Sequence, residues 1–144
     1  MKMKVDFAFI CDYADAMGKI NALGIGFDTI YSPKVPFRHP MFSFVLQLRS
    51  SVVEVGAKKL EVHLIDEDGN DIIPVLRKDI QVIRPITGVE SVAKVALHFR
   101  NVEFPRHGSY SLRAVLDGSE IASVPINVNF PPKPLPRAQP PSAN

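Results

Sequence analysis

At 144 residues, with 46% apolar and 22% charged side chains, the chain has material for one independently folding domain and little beyond it. Its 17 basic and 15 acidic residues leave a net charge of +2 scattered along the chain, which argues against a nucleic-acid binder built on an electropositive face. No apolar run approaches the ~20 residues that cross a bilayer, so no membrane contact is expected.

Cys11 is the one cysteine, so no intrachain disulfide can form; a reducing, cytoplasmic setting is expected. Two lysines followed by an apolar patch invite a signal-peptide reading. The patch spans only Phe7–Cys11 between Asp6 and Asp12, shorter than the roughly 7–15 residues such a segment needs.

In chain order, Val5–Cys11 alternates with period two and reads as a strand, with Val5, Phe7, Phe9 and Cys11 on one face. Cys11 is expected to pack as a small core hydrophobe. Asp12–Gly18 reads as a connection whose Ala-Asp-Ala-Met centre suits one helical turn. Lys19–Tyr31 resumes as a strand, interrupted by Gly24 and Gly26, a pairing that marks a bulge or a bend between sheets. Ser32–Pro40 contains three prolines and reads as a loop. Met41–Arg49 is the expected central strand, with Phe42, Phe44, Leu46 and Leu48 inward and Ser43, Gln47 and Arg49 outward.

After a loop near Ser50–Ala57, Lys59–Ile73 carries the plainest hairpin signal, a strand, an acidic turn closing on Gly69, and a return. Pro74 cannot donate to a ladder, so the return strand either stops there or lies at an edge. Ile80–Ile83 is a further short strand, Arg84–Ser91 a loop, and Val92–Phe99 a strand. Asn101–His107 reads as a loop leading to Gly108-x-Tyr110. The following strand turns Tyr110, Leu112, Ala114 and Leu116 inward. Asp117-Gly118 forms a second turn, and Glu120–Asn129 buries Ala122, Val124, Ile126 and Val128.

Eight or nine short strands with no convincing helix predict an all-β, antiparallel two-sheet sandwich, Ig-like or C2-like, over residues 1–130. A Gly-x-Tyr at the entry to a late strand also matches the tyrosine corner of Ig-like sandwiches. Residues 131–144 hold six prolines and are expected to form an extended or disordered tail. Pro131, Pro132, Pro134 and Pro136 are its candidate partner contacts, as a polyproline ligand.

Asp12-Tyr13-Ala14, Gly18-Lys19, Gly24, Leu64 to Gly69, Gly108-x-Tyr110 and Asp117-Gly118 stand in an order that resembles an uncharacterised bacterial family of small all-β proteins. The resemblance covers roughly residues 5–130 and leaves out the proline tail. It implies the fold and a bacterial origin; it implies no catalytic residues, because that family has no established activity.

Three constellations remain. Asp66, Asp68 and Asp71 are clustered oxygens of the kind that hold Ca²⁺. The EF-hand pattern fails, with Gly69 at position four and Arg77 at position twelve of the run from Asp66. A C2-type site would recruit Asp117 and Glu120; counting chain reversals puts that turn at the opposite end if Asp71–Ile83 is a single strand, whereas a reversal at Arg77–Asp79 would reunite the two. The same count gathers Ser32–Pro40, Asp66–Asn70 and Asn101–Gly108 at one end. Arg38, His39, Asp66, Asp68, Arg106 and His107 are therefore the candidate site for an anion or a polar peptide, or a salt-bridge network. His39, His63, His98 and His107 lack the paired spacing of zinc ligands. No nucleophile elbow and no phosphate loop occur. The expectation is a non-enzymatic interaction module without cofactors, an adaptor or assembly subunit with a protein partner. Self-association through an edge strand is a further expectation, a ligand-binding sandwich the alternative, and a hydrolase the third reading.

Overall fold

The computed structural model describes residues 3–51, 56–83 and 90–134. The chain is all-β. Among the described residues ten strands occur and no helix: β1 Lys4–Cys11, β2 Tyr13–Asp15, β3 Asn21–Leu23, β4 Thr29–Tyr31, β5 Phe37–Ser51, β6 Gly56–Ile65, β7 Leu76–Val82, β8 Glu90–Phe104, β9 Gly108–Leu116 and β10 Ser119–Asn129. No described helix is long and apolar enough to cross a membrane.

The strands form three sheets rather than the expected two. One has the order β1-β5-β8, a second β4-β10-β9-β6-β7, and the third is the hairpin β2-β3. Alternation explains the first two. Phe42, Phe44, Leu46 and Leu48 of β5 are buried in the same cluster as Leu60, Val62 and Leu64 of β6 and Tyr110, Leu112 and Ala114 of β9. A period of two sends each set to one face of its sheet, and the two apolar faces remove each other from water.

The third sheet follows from residues expected to face solvent. Val45 and Ser43 lie on the far face of β5 and are fully buried. Val45, Cys11 and Ala14 form a second, smaller core that Phe9, Ile20, Ala22 and Ala96 help to enclose. Cys11 is thus a buried packing residue as expected, but in this outer cluster. A register shift between Val5 and Phe7 breaks the alternation of β1: Val5 and Ala8 pack on the main core with Ile10, whereas Phe9 turns the other way.

Other boundaries differ from expectation for local reasons. The connection after Asp12 carries β2 instead of a helical turn, because its backbone finds β3 as a partner. Lys19–Tyr31 divides at the glycine pair into β3 and β4, which belong to different sheets. That is the bend the glycines signal. β4 pairs with β10 in parallel, an exception to the antiparallel scheme. β5 and β8 are each 15 residues long and extend through stretches expected to be loops. Pro40 is tolerated inside β5 because the ladder steps from His39↔Val102 to Met41↔Arg100, and Asn101, opposite the proline, takes a φ of 51°. Past Asp66–Asn70 only Asp71 returns to pair with Ile65; beyond Pro74, β7 forms the sheet edge. Pro131, Pro132 and Pro134 are exposed and outside any strand. Pro136 lies outside the described residues.

Candidate functional site

β6 ends at Ile65, and the chain turns at once. Asp66 Oδ1 accepts the N–H groups of Asp68 (3.0 Å) and Asn70 (2.9 Å), while Gly69 N–H donates to the Asp66 carbonyl (3.1 Å). This side chain therefore acts as the turn's internal cap. The bond from Asn70 N–H is the main reason the Asp66 carboxyl titrates below its ordinary value, with Asp68 N–H and the Arg106 charge adding to it against partial burial.

β6 and β9 run antiparallel with Ile65 opposite Ser111, so the acidic turn meets the segment entering β9. Arg106 Nη2 lies 3.4 Å from Asp66 Oδ2 and 3.9 Å from Asp68 Oδ2. Glu67 Oε1 accepts the Ser109 N–H at 2.8 Å. Tyr110 closes the corner: its hydroxyl donates to the Arg106 carbonyl at 2.6 Å and accepts the Arg106 N–H at 3.2 Å. This is the tyrosine-corner geometry that Gly-x-Tyr suggests. His107 Nε2 donates to the Ser32 carbonyl at 2.8 Å, and its ring packs on Phe130 at 3.9 Å between centroids. The cleft these groups enclose measures about 170 Å³.

Four of the six expected site residues, Asp66, Asp68, Arg106 and His107, do meet there. Arg38 and His39 do not. β5 carries both to the partnering end of β8, where Arg38 Nη1 donates to the Asn101 carbonyl (3.4 Å) and Nη2 lies 4.0 Å from Glu103. His39 sits between the rings of Phe37 and Phe42, and burial pushes its pKa down against the opposing effects of Met41 and Asp12. Both residues lie within β5, which begins at Phe37, rather than in the loop expected over Ser32–Pro40.

The calcium set also diverges. Asp66 is committed to the turn and to Arg106, and Asp71 Oδ1 accepts from His63 Nδ1 at 3.0 Å. His63 Nε2 lies 3.4 Å from Glu61 on its other side. Among the described residues no group of three or more His, Cys, Asp or Glu side chains converges as a metal site. The Asp117 turn lies at the far end, as counted, where Asp117 Oδ1 accepts the Lys59 N–H at 2.9 Å.

Sequence reasoning missed one polar cluster. Ser43 Oγ accepts the Ala14 N–H at 3.2 Å and shares a 2.9 Å hydrogen bond with His98 Nδ1; Tyr13 stacks on the His98 ring at 5.2 Å. It clamps the β2-β3 hairpin to β5 and β8. Its signal was Val45, an apolar residue on the face of β5 otherwise read as solvated. Ser43 is fully buried, which closes its hydroxyl to a substrate.

The residues that carried the family resemblance are thus the joints of the two ends. Asp12 and Gly24 meet in the same way, since a Cβ at Gly24 would run into the Asp12 carboxylate. Residues 6–129 match the family of unknown function DUF6941. The chain belongs to that family. No curated protein matches the sequence. Among solved structures, a DNA-bound alkylpurine DNA glycosylase AlkC of Pseudomonas fluorescens overlays with a TM-score of 0.47 at 8% identity, over 88% of this chain and 30% of that one. The chain therefore spans under a third of that protein's length, and nothing about this chain's chemistry is taken from the likeness.

Proposed function

We propose that this DUF6941 chain is a non-enzymatic interaction module, a two-sheet β-sandwich with the β2-β3 hairpin as an added outer layer, that docks a protein partner along the free edge of β8. The observation that carries this reading is the contrast among its sheet edges. β1 is broken by a bulge and carries Asp6 against Arg49. β4 has three residues. β7 presents Arg77, Lys78 and Asp79 in succession, all exposed. Those are the devices by which sheets resist further pairing. β8, by contrast, runs for 15 residues with the apolar centre Val95-Ala96-Leu97 and, among the described residues, pairs only with β5.

The end-loop ligand site is the weaker reading because its groups already have partners: Asp66 pairs with Arg106, Glu67 holds the Ser109 N–H, and His107 the Ser32 carbonyl. The tail prolines Pro131, Pro132 and Pro134, being exposed, offer a second docking element. The buried, solitary Cys11 suits a reducing cytoplasmic setting.

The test is site-specific photo-crosslinking in cells of the source organism, with the reactive residue at Val92 on β8 or at Lys78 on β7, in the full chain and in a version ending at Phe130. A partner trapped from Val92 and not from Lys78, in both versions, supports the reading. A partner trapped only when the tail is present transfers docking to the prolines.

A further inference from the structure

We infer that the β8 edge takes an extended peptide segment that alternates acidic and apolar side chains. The inference rests on the reading of β8 as the docking edge and names the chemistry of its occupant. β8 ends one sheet and β7 ends the other, and the two edges face each other without a hydrogen-bonded ladder between them. The groove between them holds about 450 Å³. On the β7 side it is lined by Ile72, Ile73 and Leu76, which lie partly buried against the main core. On the β8 side it is lined by Arg38, His98 and Arg100.

A strand added to β8 turns successive side chains to opposite faces. Those on the core side would cover Ile72, Ile73 and Leu76. Those on the outer side would run beside His98 and Arg100, which alternate with the core residues Leu97 and Phe99. The charge there is not neutralised from within. The exposed Arg100 side chain makes no hydrogen bond or ion pair among the described residues. Arg38 reaches the Asn101 carbonyl at 3.4 Å, but its one carboxylate contact is Glu103 at 4.0 Å, both side chains being more than half exposed. Among the described residues Glu103 is the one carboxylate lining the groove. A basic strip beside an apolar floor, along an open ladder, selects acidic residues at every second position.

The experiment titrates the full, ¹⁵N-labelled chain with a short capped peptide of alternating Glu and Val, beside a Lys–Val peptide and a Glu–Val peptide N-methylated on one edge. The expected result is slowed exchange of β8 amides between Val95 and Arg100 with the Glu–Val peptide. N-methylation and added salt should abolish it. Arg100→Glu should bind about tenfold more weakly, with Arg100→Gln intermediate. Equal binding of the Lys–Val peptide, shifts confined to β1, β4 or β7, or no binding at millimolar Glu–Val peptide would overturn the inference. So would a β8-mediated dimer in light scattering, since a second copy would then occupy the edge. A partner crosslinked from Val92 through a segment without acidic residues would leave the docking edge standing and remove this inference alone.

Discussion

The carboxylate of Glu67 sits where a side chain at Gly108 would begin: a Cβ built on Gly108 would lie 2.7 Å from Glu67 Oε1. The same oxygen takes the N–H of the next residue, Ser109. Gly108 has a φ of 145°, in the region that side chains rarely enter. Two effects thus hold glycine here, and they can be separated. Gly108→Ala should cost about 1–3 kcal/mol in urea unfolding. The double variant with Glu67→Ala should recover little, because the carboxylate is the movable end of a flexible chain and the backbone is not. Full recovery would show that the contact, not the dihedral, excludes a side chain.

Acid should weaken the same end of the molecule. The Asp66 carboxyl is held below its ordinary value of 3.8, chiefly by the Asn70 N–H. A depressed folded value means the stabilisation is complete above pH ~4 and is lost as pH falls through the folded pKa. Asp66→Asn keeps an oxygen for both turn N–H groups but removes the charge. The urea midpoint of the variant should therefore fall less between pH 4 and pH 3 than that of the parent. Parallel decreases would dissociate Asp66 from the acid transition.

Ser43 anchors the outer hairpin. Ser43→Ala removes the acceptor of the buried Ala14 N–H, a loss of about 1–3 kcal/mol if no other group reaches it. The effect should be local: faster hydrogen exchange at Ala14 and at the β2-β3 ladder, with β6 and β9 unchanged. Uniform acceleration across all sheets would mean the hairpin is integral to global cooperativity.

Cys11 should be inert in the native protein. Burial, followed by the Asp12 charge, pushes its thiol pKa above the usual range, and the side chain has no exposure. Alkylation at neutral pH should proceed only as fast as the chain unfolds, and denaturant should accelerate it steeply. Rapid labelling in buffer would contradict the packing of the outer cluster.

The central strand, the two turns and the inward sets of β5, β6 and β9 were legible because a period of two, punctuated by Gly, Asp and Pro, is a local signal. The reversal count likewise placed Asp66 and Arg106 together and kept Asp117 apart. Arg38 and His39 escaped it, because both lie within β5 rather than in the expected loop. Ser43 escaped because outward-facing residues are expected to meet water, and only the folded hairpin replaces that water.

By itself the sequence determined the strand-rich class, the acidic and Asp-Gly turns, and which side of each main strand is apolar. These are consequences of backbone sterics and side-chain alternation within a few residues. Tertiary structure decided what the second face of β5 meets, which polar side chains share a cleft, and which edge stays open. Those depend on register between segments distant in the chain, and a one-residue shift in register turns a side chain from water to core.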